Sequence, residues 1–272
     1  MPKSPFKKAL LLLAYTAVVV LITWYLVAPK NQTPIHVESQ SEHRLQEMAE
    51  LPAWVKQTHP APRPLEPEVP RDSGQEFTVG EGQRYANLQD AISDAPDGST
   101  ITIMPGEYYS ENVIDISGKS RLTIRGKGHV ELLTNNMQSD VIHVGNSNNI
   151  VFDNLTVRHT DPPKDTRCSG NVFSLWNSED VTIKNSDING SGVVGIMSYD
   201  QDGLTLENNT FHRNQYAGVE LFHSRGVSRL NNNTFDNNGR HIDVNGNSIT
   251  EDTNKKNLEM SGNRFLSPPN SP

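Results

Sequence analysis

The sequence contains a single cysteine, Cys168, in 272 residues. A disulfide framework is therefore excluded, and the fold must rest on burial and backbone pairing. Cationic residues are outnumbered, with 24 Lys and Arg against 32 Asp and Glu, for a formal charge of −8. No basic stripe stands out, so no nucleic-acid partner is expected. An acidic polysaccharide as partner would need local basic residues or bound cations. No cluster of His and Met at ligand spacing marks a copper site. No cysteine follows the N-terminal apolar run, which argues against a bacterial lipoprotein.

What the chain does have is a beat of 23 residues between Val141 and Phe265, with units starting at Val172, Gly195, Gly218 and His241. An earlier unit starts at Val141, 31 residues before Val172, so one loop is inserted there. Each unit carries two short apolar alternations, such as Ile142–Val144 with Phe173–Leu175, and Val181–Ile183 with Leu204–Leu206. One further inward residue follows: Val157, Ile188, Phe211, Phe235 or Phe265. Alternation at period two means strands, and three short strands cannot bury a face alone, so the units must stack. Asn154, Asn185, Asn208 and Asn232 fall in one column. Asn tolerates left-handed backbone, and stacked Asn side chains can hydrogen-bond along a ladder.

The stretch Tyr85 to Gly126, with a cap helix over Leu88–Ala95 and the turn Pro105–Gly106–Glu107–Tyr108, resembles the opening of right-handed parallel β-helix proteins of the pectate-lyase-like superfamily. It is similar to the openings of pectin methylesterases and of periplasmic copper-processing β-helix proteins. The resemblance covers residues 77–266. It implies an all-β, single-stranded right-handed parallel β-helix of about six coils with a helical cap. It does not imply one activity, because the fold hosts lyases, hydrolases, esterases, epimerases, adhesins and non-catalytic modules. The pectinesterase Asp-Phe-Ile-Phe-Gly signature, the Asp-Asp constellation of polygalacturonases and the Asp-Pro-His-Asp of mannuronan epimerases are absent.

The N-terminal part reads differently. Residues 1–8 form a short cytoplasmic N-terminus with Lys3, Lys7 and Lys8. Residues 9–27 are an uncharged run of 19, long enough at about 28 Å to span a bilayer core. The charge bias puts the N-terminus inside, giving a single-pass inner-membrane protein whose C-terminal part lies in the periplasm or outside. A cleaved signal peptide is the alternative, although Pro29 after Ala28 disfavours cleavage. Residues 28–76 hold eight prolines and read as a semi-rigid spacer. Within it, Leu51–Val55 (LPAWV) could dock on a partner or cover an end of the solenoid. Residues 267–272 are a tail. Cys168 is incidental or, alternatively, a reactive thiol.

Stacking places equivalent columns one strand spacing apart, so the sequence can be read as a surface. One outward column is Asp115, His143, Ser174, Met197, Glu220, Asp243. Neighbouring Glu220 and Asp243 could act as acid and base or bind a cation, possible Ca²⁺ included, and His241 could share their face. The column Trp176, Tyr199, Phe222 is either a sugar platform or a stabilising aromatic ladder. The insertion Arg158–Gly170 would bring His159 and Arg167 near His212 and Arg213 to wall a groove. The expected function is binding, with lyase-, epimerase- or hydrolase-type modification, of an acidic polysaccharide. The alternative is a non-catalytic scaffold in a cell-envelope assembly with a protein partner.

Overall fold

In the computed structural model, the described residues are 74–160, 169–190 and 193–266. The expected anchor, most of the spacer, Arg167, Cys168 and the tail lie outside them. Among the described residues, no helix is long and apolar enough to cross a membrane.

The chain winds into three parallel sheets, about seven turns in all, against the six units counted from the repeat. The uncounted turn comes first, where strands Thr100–Ile103 and Gly106–Tyr109 precede the first unit. Its sequence departs from the 23-residue beat because it also carries the cap. Sheet A runs from Glu76–Val79 to Leu258–Ser261, sheet B from Gly106–Tyr109 to Arg264–Phe265, and sheet C from Ile114–Ser117 to Arg240–Val244. The helix Leu88–Asp94 buries Leu88, Ala91 and Ile92, and Asn87 caps it by accepting from the Asp90 N–H at 2.9 Å. At the other end, antiparallel strands Asn247–Ile249 and Asn254–Lys255 finish sheets C and A.

The period-two columns point where alternation requires. Ile142, Val144, Phe173 and Leu175 of sheet C, and Val181, Ile183, Leu204 and Leu206 of sheet A, are fully buried. In sheet B, Phe211, Phe235 and Phe265 stack at 5.0 and 5.3 Å with nearly parallel rings. Each coil turns its corners with a left-handed residue. Asn154, Asn185, Asn208 and Asn232 hold φ of 56°, 52°, 55° and 56° at one corner, where a short polar side chain lowers the cost of positive φ.

The buried ladder lies one residue further along. The Ser186 N–H donates to Asn209 Oδ1 at 3.0 Å, the Asn209 N–H to Asn233 Oδ1 at 3.0 Å, and the Asn233 N–H to Asn263 Oδ1 at 2.9 Å. The Asn233 amide donates in turn to the Leu206 carbonyl at 2.9 Å. Paired asparagines thus divide the work: the first bends the backbone, and the second satisfies polar groups that bending would orphan inside the solenoid. Asn233→Ala strips an acceptor from two donors of Asn209 and a donor from Leu206, so it should cost about 3 kcal/mol. Asn232→Gly should cost under about 1 kcal/mol, because glycine accepts positive φ freely. Urea unfolding of the two variants checks this; equal midpoints would contradict it.

Candidate functional site

The outward column of sheet C is assembled in the expected order. Register pairs Asp115 with His143, His143 with Ser174, Ser174 with Met197, Met197 with Glu220, and Glu220 with Asp243. The two carboxylates are adjacent rungs, but their face is not open. Glu220 is 8% exposed and Asp243 is fully buried. The cover comes from Arg240 at the start of the last strand of sheet C, from Tyr216 in the corner before Ala217, and from the turn at Gly246. Arg240 Nη1 donates to Asp243 Oδ2, to the Tyr216 hydroxyl at 3.2 Å and to the Gly246 carbonyl at 3.4 Å. The Gly246 N–H donates to Asp243 Oδ1 at 2.6 Å. The Arg240 guanidinium also lies 5.1 Å over the Tyr216 ring.

The two acids therefore have different surroundings. Asp243 is held on both oxygens. Glu220 is pushed up to about 7, first by burial and then by the charge of Asp243, with Arg240 pulling the other way. The Tyr216 phenol is raised, chiefly by burial and by Asp243. The Arg240 guanidinium is held more firmly charged, chiefly by its bond to Asp243. Glu220 is thus a carboxyl that can hold or release a proton near neutrality, flanked by a cation and a phenol at the surface. Both Asp243 oxygens are engaged by Arg240 and the Gly246 N–H, and among the described residues no group of three acidic, His or Cys side chains is placed to hold a metal ion.

Other candidates are placed elsewhere. His241 is 1% exposed and packs 5.6 Å from Phe265 and 6.2 Å from Phe235, inside the solenoid and off the carboxylate face. The reason is the corner. Gly195 and Gly218 occupy the equivalent place in earlier coils, and a Cβ on Gly218 would meet Phe235 at 3.2 Å and Asn238 at 3.3 Å. That position points inward, and those two glycines were the sequence signal. His159 is also fully buried; its Nε2–H donates to the Ser139 carbonyl at 3.0 Å, and burial lowers its pKa. His212 and Arg213 serve sheet B. His212 Nε2 meets Asp187 Oδ1 at 2.9 Å, and Arg213 donates to His212 Nδ1 and Asn189 Oδ1, both at 3.2 Å. Asp187 is lowered: burial opposes this, but its bonds from His212 and Asn189 outweigh it.

The aromatic column is in register from Trp176 through Tyr199 to Phe222. Trp176 stacks on Tyr199 at 4.7 Å, but the next ring is His223, edge-on at 5.2 Å, rather than Phe222. His223 holds the left-handed corner at φ 50°, and its ring meets Tyr199 from there. Trp176 remains 41% exposed while its Nε1–H donates to Ser174 Oγ at 2.8 Å. It is a fixed, accessible ring on the same sheet as Glu220.

Tyr216 and Arg240 complete the cluster, and Tyr216 is the member that sequence patterning missed. It lies in a corner between strands, where alternation gives no direction. The profile of the right handed beta helix region matches residues 106–270. The chain belongs to that family. No curated protein sequence matches this β-helix chain. Among solved structures, it is similar to a candidate glycosyl hydrolase from Parabacteroides merdae, at 15% identity and a TM-score of 0.46, covering 64% of this chain and 83% of that one. It is also similar to the pectin methylesterase from Aspergillus niger, at 13% identity and a TM-score of 0.41, covering 72% and 91%.

Because Glu220 is raised in the folded protein, its neutral form is favoured by folding. Its contribution to stability is complete below about pH 4.5 and is lost as pH rises through about 7. The stability of the wild type relative to Glu220→Gln should therefore fall by about 3 kcal/mol between those limits and level off above. Denaturant midpoints across pH check this; a pH-independent difference would contradict it.

Proposed function

We propose that this protein binds an acidic polysaccharide along sheet C and moves a proton at a uronate residue, with Glu220 as the proton-transfer group. The observation that carries the reading is the Glu220 carboxyl, raised to about 7 beside the Arg240 guanidinium. Arg240 neutralises the substrate carboxylate and so acidifies the adjacent C–H. Glu220 takes that proton. In elimination, the electron pair forms the new C=C bond, the C–O bond to the neighbouring sugar breaks, and the leaving oxygen takes a proton from Tyr216. In epimerisation, the Tyr216 phenol returns a proton to the opposite face of the same carbon. Hydrolysis by two carboxylates fits less well, because Asp243 is fully buried and held by Arg240, so it cannot activate water. Asp243 is a positioning residue: it fixes Arg240 and, with burial, keeps Glu220 protonated up to about neutrality. Trp176 and Tyr199 offer an aromatic surface for sugar stacking.

The chain is tethered to the inner membrane by residues 9–27, with residues 77–266 on the outer side. What supports the tether is the uncharged run of 19 residues preceded by three lysines. A C-terminal phosphatase reporter that is active only outside the cytoplasm should be active on the full chain; an inactive reporter on a stably expressed chain would overturn this topology.

The activity test is proton NMR of a panel of uronans in D₂O with the full-length protein. Exchange at C5 or an unsaturated sugar is expected. The rate should rise with pH through about 7, as Glu220 becomes a base, and fall about 100-fold or more in Glu220→Gln. No change on any polymer, with folded protein, would refute the catalytic reading and leave the envelope scaffold.

A further inference from the structure

The solenoid finishes its ends unequally. The helix Leu88–Asp94 packs on strands of sheets A and C, and antiparallel strands finish those same sheets at the far end. Sheet B has neither. Its first strand, Gly106–Tyr109, pairs only with Val130–Thr134, so its other edge is unpaired among the described residues. The Gly106 N–H donates to the His129 carbonyl at 3.0 Å and the Ser110 N–H to the Leu133 carbonyl at 2.8 Å. Alternation then turns the N–H groups of Glu107 and Tyr109 to the open edge. An open edge is a template for another strand, and proteins usually blunt or cover it.

This edge borders a groove of about 850 Å³ between the strand and the start of the cap helix. Leu88, Val113 and Ile114 line it with the half-buried Tyr108, and Tyr109 is 51% exposed beside it. The charged groups in its lining are Glu81, Glu107 and Glu111, with no Lys or Arg among them. We infer that this groove accepts an extended, basic segment of a partner protein, which adds to sheet B as a strand. Backbone pairing supplies the affinity, alternate apolar side chains enter the groove, and the basic ones meet the three glutamates. Over residues 28–73 the chain carries seven Asp and Glu against five Lys and Arg, a net charge of −2, so it offers the groove no excess of basic charge. This docking site is independent of the chemistry proposed for Glu220, which lies on another sheet.

The test uses the full-length protein in detergent and three synthetic octapeptides: alternating Lys-Val, alternating Glu-Val, and a Lys-Val peptide interrupted by proline. Residue-resolved amide hydrogen exchange is the readout. The Glu107 and Tyr109 amides should exchange freely in the protein alone. They should slow at least tenfold with the Lys-Val peptide, and not with the other two. Tyr109→Pro, which removes one edge N–H, should abolish the protection of Glu107, and Glu107→Lys with Glu111→Lys should reverse the preference to the acidic peptide. Unchanged exchange with the Lys-Val peptide, or equal protection by the acidic one, would overturn the proposal. So would protection already present in the protein alone, which would mean that a segment of this chain fills the groove.

Discussion

Every feature of the solenoid depends on one constraint: successive coils must stack in register at a single strand spacing. Once that register is set, each position of the repeat becomes a column, and each column must suit its surroundings along its whole length. Apolar columns become the core, as with Ile142, Phe173 and Ile196 in sheet C. The left-handed column becomes a corner. The next column must hydrogen-bond both ways, which is why Asn209, Asn233 and Asn263 follow one another inside. A ladder of this kind is cooperative: loss of one rung orphans groups on its neighbours.

Chemistry arises where the repeat is broken. Adjacent acids on an outward column would repel each other if both stayed charged and exposed. Here the last coil resolves the conflict. Arg240 and the turn at Gly246 hold Asp243, and Glu220 keeps its proton until about neutrality. The break that ends sheet C with an antiparallel strand therefore also creates an asymmetric acid pair. The same need to finish each sheet explains the other unusual place, the uncovered edge of sheet B.

Much of this was legible in the sequence. Period two identified the strands, the 23-residue beat set the register, and Glu220 was correctly placed beside Asp243, as Trp176 was beside Tyr199. These inferences need only alternation and stacking. The corner at Asn154, Asn185, Asn208 and Asn232 was legible as a column, but the corner before sheet C was not, because its residues change type from coil to coil. His241 was therefore expected on the wrong side, Tyr216 was overlooked, and His223 took the place expected for Phe222. Nor does register show burial: an outward column reads as exposed until the residues covering it are known. The expected Asn column does bond along the stack, Asn208 Nδ2 donating to Asn185 Oδ1 at 3.4 Å, but the buried ladder runs one residue further along, which consecutive Asn positions do not show in sequence.

The most direct measurement is a carbon-13 NMR titration of the Glu220 side-chain carboxyl, assigned by comparison with Glu220→Gln. A midpoint near 7 is expected, moving toward the ordinary glutamate range in Asp243→Asn as the neighbouring charge is removed. A midpoint near 4.5 in the wild type, unaffected by Asp243→Asn, would mean that the two acids are not coupled on this face, and the proton-transfer role assigned to Glu220 would fall with it.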